Sequence, residues 1–290
     1  MPNVLVTGGS GQLAKAIKRA AARGRNTYSF PNHTELDICD SAAVMSYIRQ
    51  HDIDVVVNCA AYTNVDGAED NRDMAQAINC DAAVAIAKIC KQLNIALIHI
   101  STDYVFGGNE IRRTPYSETD PIAPINIYGH TKAQGEKGVI EHGGIVIRTS
   151  WLYAPWGKNF VRTILRLATK QEELSVVNDQ HGSPTSAIGL AKAIVAIIDN
   201  GEIEQMTGIY HYADIGVCSW YDFACEIIDL AEIKSCKVAP CRTSERQMRA
   251  ARPTYSALDT QRISAIKGVE LMSRTERLKE VMTLMENDYE

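Results

Sequence analysis

The chain has 290 residues, 46% of them hydrophobic, and a formal net charge of −5. That length and apolar content suit one large domain or two intimately packed ones, and they exclude a disordered chain. Its lysines and arginines are scattered through an acidic sequence of pI about 5.8, which argues against a nucleic-acid or anionic-membrane partner.

The chain runs from Met1-Pro2-Asn3 straight into Val4-Leu5-Val6, with no charged leader or small-residue cleavage site, and no apolar run nears the ~20 residues of a membrane span. A cytoplasmic location is therefore expected. Val4 to Thr7 reads as a first strand and Gln12 to Arg23 as a helix. Ser41 to Gln50 predicts a second helix, Asp54 to Asn58 a strand, Met74 to Leu93 a long helix and Ala96 to Ser101 a strand. A helix over roughly Asn126 to Glu141 and a strand over Ile145 to Thr149 complete the alternation.

Strands alternating with such helices pair in parallel, because each crossover needs a helix's length of chain and takes the right-handed course. Apolar cores such as Val55-Val56-Val57 fit strands covered on both faces. Beyond about residue 150 the rhythm loosens. A helix over Asn159 to Lys170, a strand at Leu174 to Val177, and helices over Ser186 to Asp199 and Trp220 to Glu232 predict a smaller domain. Residues 1–150 thus form the expected nucleotide-binding domain, with strands returned to its sheet from about 172–185, and 151–290 form the second domain.

Thr7-Gly8-Gly9-Ser10-Gly11-Gln12-Leu13-Ala14 sets a glycine-rich turn between the first strand and first helix. Gly8 can make the tight turn, Gly11 can admit a diphosphate to the backbone, and Ala14 can let helix close on strand, with free N–H groups facing the phosphates. In this context the turn predicts a dinucleotide and a Rossmann-type α/β fold: a doubly wound parallel sheet with a smaller C-terminal α/β substrate domain. Leu36-Asp37-Ile38 is placed to meet the adenine, and Ala61-Tyr62-Thr63 lies at the third strand's carboxyl end. The second strand closes with Tyr28-Ser29-Phe30-Pro31-Asn32-His33, without the carboxylate that repels a 2′-phosphate, so NADPH is favoured and NADH also accepted.

Tyr128 and Lys132 stand four residues apart, hence on one helix face about ~6 Å along the axis. A lysine charge ~4 Å from a phenol, at an effective dielectric of ~20, contributes ~4 kcal/mol, enough to bring a tyrosine pKa from ~10 towards ~7. Ser101-Thr102-Asp103-Tyr104 follows the fourth strand, so Thr102 can hydrogen-bond a substrate carbonyl as charge develops there. Asn79 is a candidate support or water relay. The predicted catalytic trio is Thr102, Tyr128 and Lys132.

Seven histidines show no paired-ligand spacing, and no Gly-x-Ser-x-Gly elbow occurs, so no metal is expected and a hydrolase is excluded. Eight cysteines without a Cys-x-x-Cys pair are expected as mostly buried, reduced thiols. Of the three tryptophans, Trp151 is the functional candidate; Trp156 and Trp220 are read as packing. Arg242, Arg246, Arg249 and Arg252 recur at helical spacing, either clamping a diphosphate or lining a solvated face. Arg252, fixed by Pro253, is the better clamp.

Taken together, Thr7 to Leu13, Ala60 to Asp66, Ser101-Thr102-Asp103-Tyr104-Val105-Phe106, Tyr128 to Lys132 with Gly135-Glu136, Arg148 to Tyr153, Asn178 to Thr185 and Ala251-Arg252-Pro253 resemble the dTDP-4-dehydrorhamnose reductases. These belong to the extended short-chain dehydrogenase/reductases. The resemblance implies reduction of a nucleotide-linked 4-keto sugar to dTDP-L-rhamnose, with Tyr128 as proton donor. It places Thr102, Asp103 and Trp151 on the sugar. On the coenzyme it places Gly11, Gln12, Leu13, Asp37, Ile38, Ala61, Tyr62, Thr63, Tyr128 and Lys132.

Ala16 stands where some members carry a glutamate for magnesium at a subunit contact, which argues against a metal-bridged pair and leaves a homodimer to other surfaces. Two alternatives keep the same trio. One is a reductase or epimerase for another nucleotide-linked keto sugar; the other is a non-catalytic NADP-binding regulatory subunit, as the beta subunit of methionine adenosyltransferase resembles this family.

Overall fold

The computed structural model describes residues 1–22, 24–108 and 111–287. Its main sheet takes β1 (Asn3–Thr7), β2 (Thr27–Ser29), β3 (Val55–Asn58), β4 (Ala96–Thr102) and β5 (Ile145–Thr149), and adds a sixth strand, Gly208–His211. All pair in parallel, in the order Gly208–His211, β5, β4, β3, β1, β2. The order reverses between β1 and β3, and ligands of open parallel sheets bind outside the strands' carboxyl ends at such a point.

The alternation of side chains assigns the two faces. Val4, Val6, Val55, Val57, Ile98, Ile145 and Ile147 enter one core with α1 (Gln12–Ala21) and much of the C-terminal half. Leu5, Val56, Leu97 and Val146 enter the other, with α2 (Ser41–Gln50). The expected helix end at Arg23 lies outside the described residues.

Two short helices, α3 (Val65–Asp70) and α4 (Arg72–Gln76), precede a π turn, Ala77–Asp81, which runs into α5 (Ala82–Leu93). The long helix expected from Met74 is therefore continuous but carries one over-wide turn, which re-aims Asn79 into the protein, where it is 1% exposed. Asn126 caps α6 (Ile127–Glu141) by accepting from Gly129 N at 2.8 Å. A Cβ at Gly135 would stand 2.2 Å from Asn79 O, so this glycine sets how closely α6 lies against the π turn.

The strand expected to return to the main sheet from about 172–185 does not do so. Glu173–Val177 pairs with Lys237–Cys241 in a separate two-stranded sheet. The returning strand is Gly208–His211, because α8 (187–199, after α7, Phe160–Ala168) lies along α1 and carries the chain back to the open edge of β5. The arginine run is not a helix either: Arg242 to Arg252 continues from a strand through one 3-10 turn, Thr243–Glu245, into irregular backbone. No described helix is long and apolar enough to cross a membrane.

Candidate active site

The glycine turn has the shape its sequence predicts. Gly8 adopts φ +67°, the left-handed region that favours glycine, and a Cβ at Gly9 would stand 2.1 Å from Phe30 O. Gly11 is the N-cap of α1 and brings no side-chain cap, so the first N–H groups of the helix remain for an anion, and the residues present fit a diphosphate. Gln12 is also bound to the second half: its carbonyl accepts from Trp156 Nε1 at 3.1 Å and its Oε1 from Asn159 Nδ2 at 2.8 Å. Trp156 is therefore more than filler.

Leu13 and Ile38 are buried, and the Asp37 carboxylate is exposed, accepting from Cys39 N at 3.0 Å. Asn79 holds the loop through Ala61, Tyr62 and Thr63, taking Tyr62 N at 2.9 Å and giving to Tyr62 O at 3.2 Å and Thr131 Oγ1 at 3.1 Å. It acts here as a clamp between coenzyme loop and α6.

At the end of β4 the chain turns sharply through Asp103–Val105, where Thr102 Oγ1 accepts from Tyr104 N at 3.2 Å. Tyr128, on the first turn of α6, lies edge-on to Tyr104 with ring centroids 5.6 Å apart. Burial pushes the Tyr128 phenol up to about 12, opposed by a hydrogen bond from Thr102 and reinforced by the negative charge of Asp103. Thr102 and Tyr128 are thus brought together. The expected lowering of the phenol by Lys132 is not found, because removal of solvent is the larger effect and the ammonium is engaged elsewhere.

Lys132 is 1% exposed. Its Nζ donates to Ile100 O at 2.6 Å and lies 3.1 Å from His99 Nε2. Burial pushes it down to about 8, with the charge of Glu136 opposing the shift. Glu136 is itself paired with Arg148 at 2.7 Å, and both are almost wholly buried.

Asp103 was expected on the sugar, but its carboxylate is 1% exposed, accepting from Ser256 Oγ at 2.6 Å and Thr102 Oγ1 at 3.3 Å. Its contact with the candidate trio is the Thr102 hydroxyl. Burial raises it to about 7, against the hydrogen bonds that favour its ionised form. Ser256 is not among the sequence's site candidates, since nothing in the tail segment Ala251 to Ser256 signals that its hydroxyl will reach Asp103.

Arg252 pairs with Asp66 at 3.1 Å and stands 6.0 Å from the centre of the Tyr104 ring. Arg249 pairs instead with Asp70, and Arg246 donates to Ser175 O. Trp151 adopts φ +48°, rare for a bulky residue, and its indole stacks on Trp220 with centroids 3.5 Å apart. Trp220 packs as expected, and what it packs is Trp151.

Comparison with known proteins agrees with this geometry. The family described as "RmlD substrate binding domain" matches residues 2–287. A dTDP-4-dehydrorhamnose reductase of Mycolicibacterium smegmatis is 39% identical over 263 residues, 89% of this chain and 78% of that protein. A dTDP-4-keto-6-deoxy-D-glucose reductase of Streptomyces niveus is 36% identical over 259 residues, 88% of this chain and 87% of that one. The structure of dTDP-4-dehydrorhamnose reductase from Bacillus anthracis in complex with NADP superposes with a TM-score of 0.89 at 36% identity, covering 98% of this chain and 99% of that one. The chain belongs to the dTDP-4-dehydrorhamnose reductase family of extended short-chain dehydrogenase/reductases, and it is an NAD(P)-dependent reductase of nucleotide-linked keto sugars.

Proposed function

We propose that the protein reduces the 4-keto group of dTDP-4-dehydro-6-deoxy-L-mannose to give dTDP-L-rhamnose, with residues 1–150 serving the coenzyme and 151–290 the sugar. The observation that carries this reading is the packing of both Thr102 and Tyr128 against Tyr104 at the carboxyl edge of β4, with the start of α1 left uncapped. Bound NADPH supplies the hydride. Gly8 and Gly11 shape its turn, with Gln12 and Leu13 on the diphosphate. Asp37 and Ile38 would meet the adenine, and Ala61, Tyr62 and Thr63 would complete the coenzyme contacts. NADPH is preferred because Thr27–Ser29 is followed by Phe30-Pro31-Asn32-His33, with no carboxylate to repel a 2′-phosphate.

Thr102 turns its one hydroxyl hydrogen from Asp103 Oδ1 to the carbonyl oxygen at C4, a bond that strengthens as that oxygen gains charge. Tyr128 then gives its phenolic proton to the same oxygen; its raised pKa keeps that proton in place at neutrality. Lys132 holds the nicotinamide ribose. Trp151 and Arg252 bracket the sugar nucleotide, the first by its ring face and the second by its guanidinium fork.

The test is to incubate the protein with NADPH and the 4-keto sugar formed in place from dTDP-glucose, following coenzyme oxidation and the sugar released. Rhamnose should form, and Tyr128→Phe should lose at least ~100-fold in kcat while still binding coenzyme. The kinship with the Streptomyces niveus enzyme favours a second substrate, dTDP-4-keto-6-deoxy-D-glucose. Turnover of that sugar without the C3/C5-epimerised one would replace the first reading.

A further inference from the structure

The strand register sets Thr7 beside Asn58 and Asn58 beside His99, one polar row across β1, β3 and β4. All three side chains are buried to 1% exposure, beside strand positions held mostly by valine, leucine and isoleucine. Thr7 Oγ1 lies 2.7 Å from the Asn58 amide, whose other end lies 3.0 Å from His99 Nδ1, and His99 Nε2 faces Lys132 Nζ at 3.1 Å. The row therefore joins the residue before Gly8 to the buried lysine, and its function is not explained by packing alone.

Counting protons fixes one state and admits a second. A neutral imidazole has one N–H and one lone pair, and an ammonium can only donate. With Lys132 charged, Nε2 must accept, Nδ1 must carry the hydrogen, and Asn58 must present its oxygen to the ring and its NH₂ to Thr7. With Lys132 neutral, the lone pair on Nζ opens the reverse arrangement, which has the amide orientation of the structure: Nε2–H donates to Nζ, Nδ1 accepts from the Asn58 NH₂, and Thr7 donates to the amide oxygen. A half-turn of the amide interconverts the two. One proton is lost in all, while the ring keeps a single N–H that changes nitrogen.

We propose that His99 is a positioning residue for Lys132, and that His99 and Asn58 form a two-position hydrogen-bond switch locked to the charge of that lysine. This rests on the assignment of Lys132 to the nicotinamide ribose above, and extends it. The groups facing Lys132 are Glu136 on its own helix, Cys59 after β3, His99 on β4 and, through Glu136, Arg148 on β5. Burial and the neighbouring lysine push His99 well below its ordinary pKa, so the ring stays neutral while the lysine titrates.

The experiment labels the holoprotein with ¹³C at lysine Cε and ¹⁵N in the imidazoles and follows both across pH, with Lys132→Met assigning the lysine. The ring should carry its hydrogen on Nδ1 while Lys132 is charged and on Nε2 once it is neutral, the two changes sharing one midpoint. In His99→Leu the lysine midpoint should fall by about one to two pH units, the worth of a hydrogen bond to a charged group. His99→Gln, which restores an acceptor, should stay within about half a unit of the wild type. A ring whose tautomer does not change as Lys132 titrates, or a folded His99→Leu with an unmoved lysine, overturns the proposal. Should His99→Leu fail to fold, the wild-type tautomers decide. Neither reading depends on turnover of a keto sugar, so failure of the substrate assignment would be recognised separately.

Discussion

Replacing Asp103 by asparagine tests whether Thr102 is held by a carboxylate that the fold accommodates at a loss of stability. The unfolded chain ionises this group at the ordinary value of 3.8, and burial raises it in the folded protein to about 7. Between those values the folded state binds more protons than the unfolded one, so stability is highest below 3.8 and falls as pH rises through the window. About three units at ~1.4 kcal/mol each give a loss of ~4 kcal/mol at pH ~8, of which less than half is present at pH ~5. Asparagine is similar in shape, never ionises, and can still accept from Ser256.

Urea unfolding of both proteins should therefore show the variant gaining on the wild type by ~2–3 kcal/mol between pH ~5 and pH ~8. A stability gap unchanged between the two pH values would refute the reasoning, since no buried ionisation would then distinguish the side chains.

Glu136→Gln leaves Arg148 as a buried charge without its ion-pair partner, and thermal or urea unfolding should show a loss of about 3–5 kcal/mol. Gly9→Ala drives a Cβ into the Phe30 carbonyl; a loss of ~1–3 kcal/mol is expected, with weaker NADPH binding by fluorescence titration. Arg252→Lys keeps the charge but not the fork, so KM for the nucleotide sugar should rise about tenfold while kcat changes little in steady-state assays.

The first four strands predicted from apolar runs and the helices between them stand where the pattern places them, because a sheet covered on both faces needs near-continuous apolar strands. Gly208–His211 escaped notice: four residues beginning with glycine and ending in histidine carry no period, and their pairing is determined by α8. The π turn at Ala77–Asp81 also has no signal, since one shifted hydrogen bond leaves the apolar spacing almost unchanged.

At the site, motif spacing located Thr102, Tyr128 and Lys132 but not the direction of their polar ends. Four-residue spacing puts phenol and amine on one helix face. It is silent on whether the backbone carbonyl of Ile100 and the ring of His99 will hold the amine more closely. His99 itself, a single polar residue in Ala96-Leu97-Ile98-His99-Ile100, reads as core until the neighbouring strands are aligned. The tail arginines show a similar gap: their helical spacing is real, but the segment between Pro240 and Pro253 follows an extended strand and forms no helix face.

The sixth strand has a practical consequence. Because Gly208–His211 covers the flank of Ile145–Thr149, and Ala187–Asp199 lies along Gln12–Ala21, a fragment cut after residue 150 would bare a hydrogen-bonding edge and an oily helix flank together. Such a piece invites aggregation, so the nucleotide half is not a portable module. Engineers seeking a new sugar preference should exchange loops, leaving the later crossover in place.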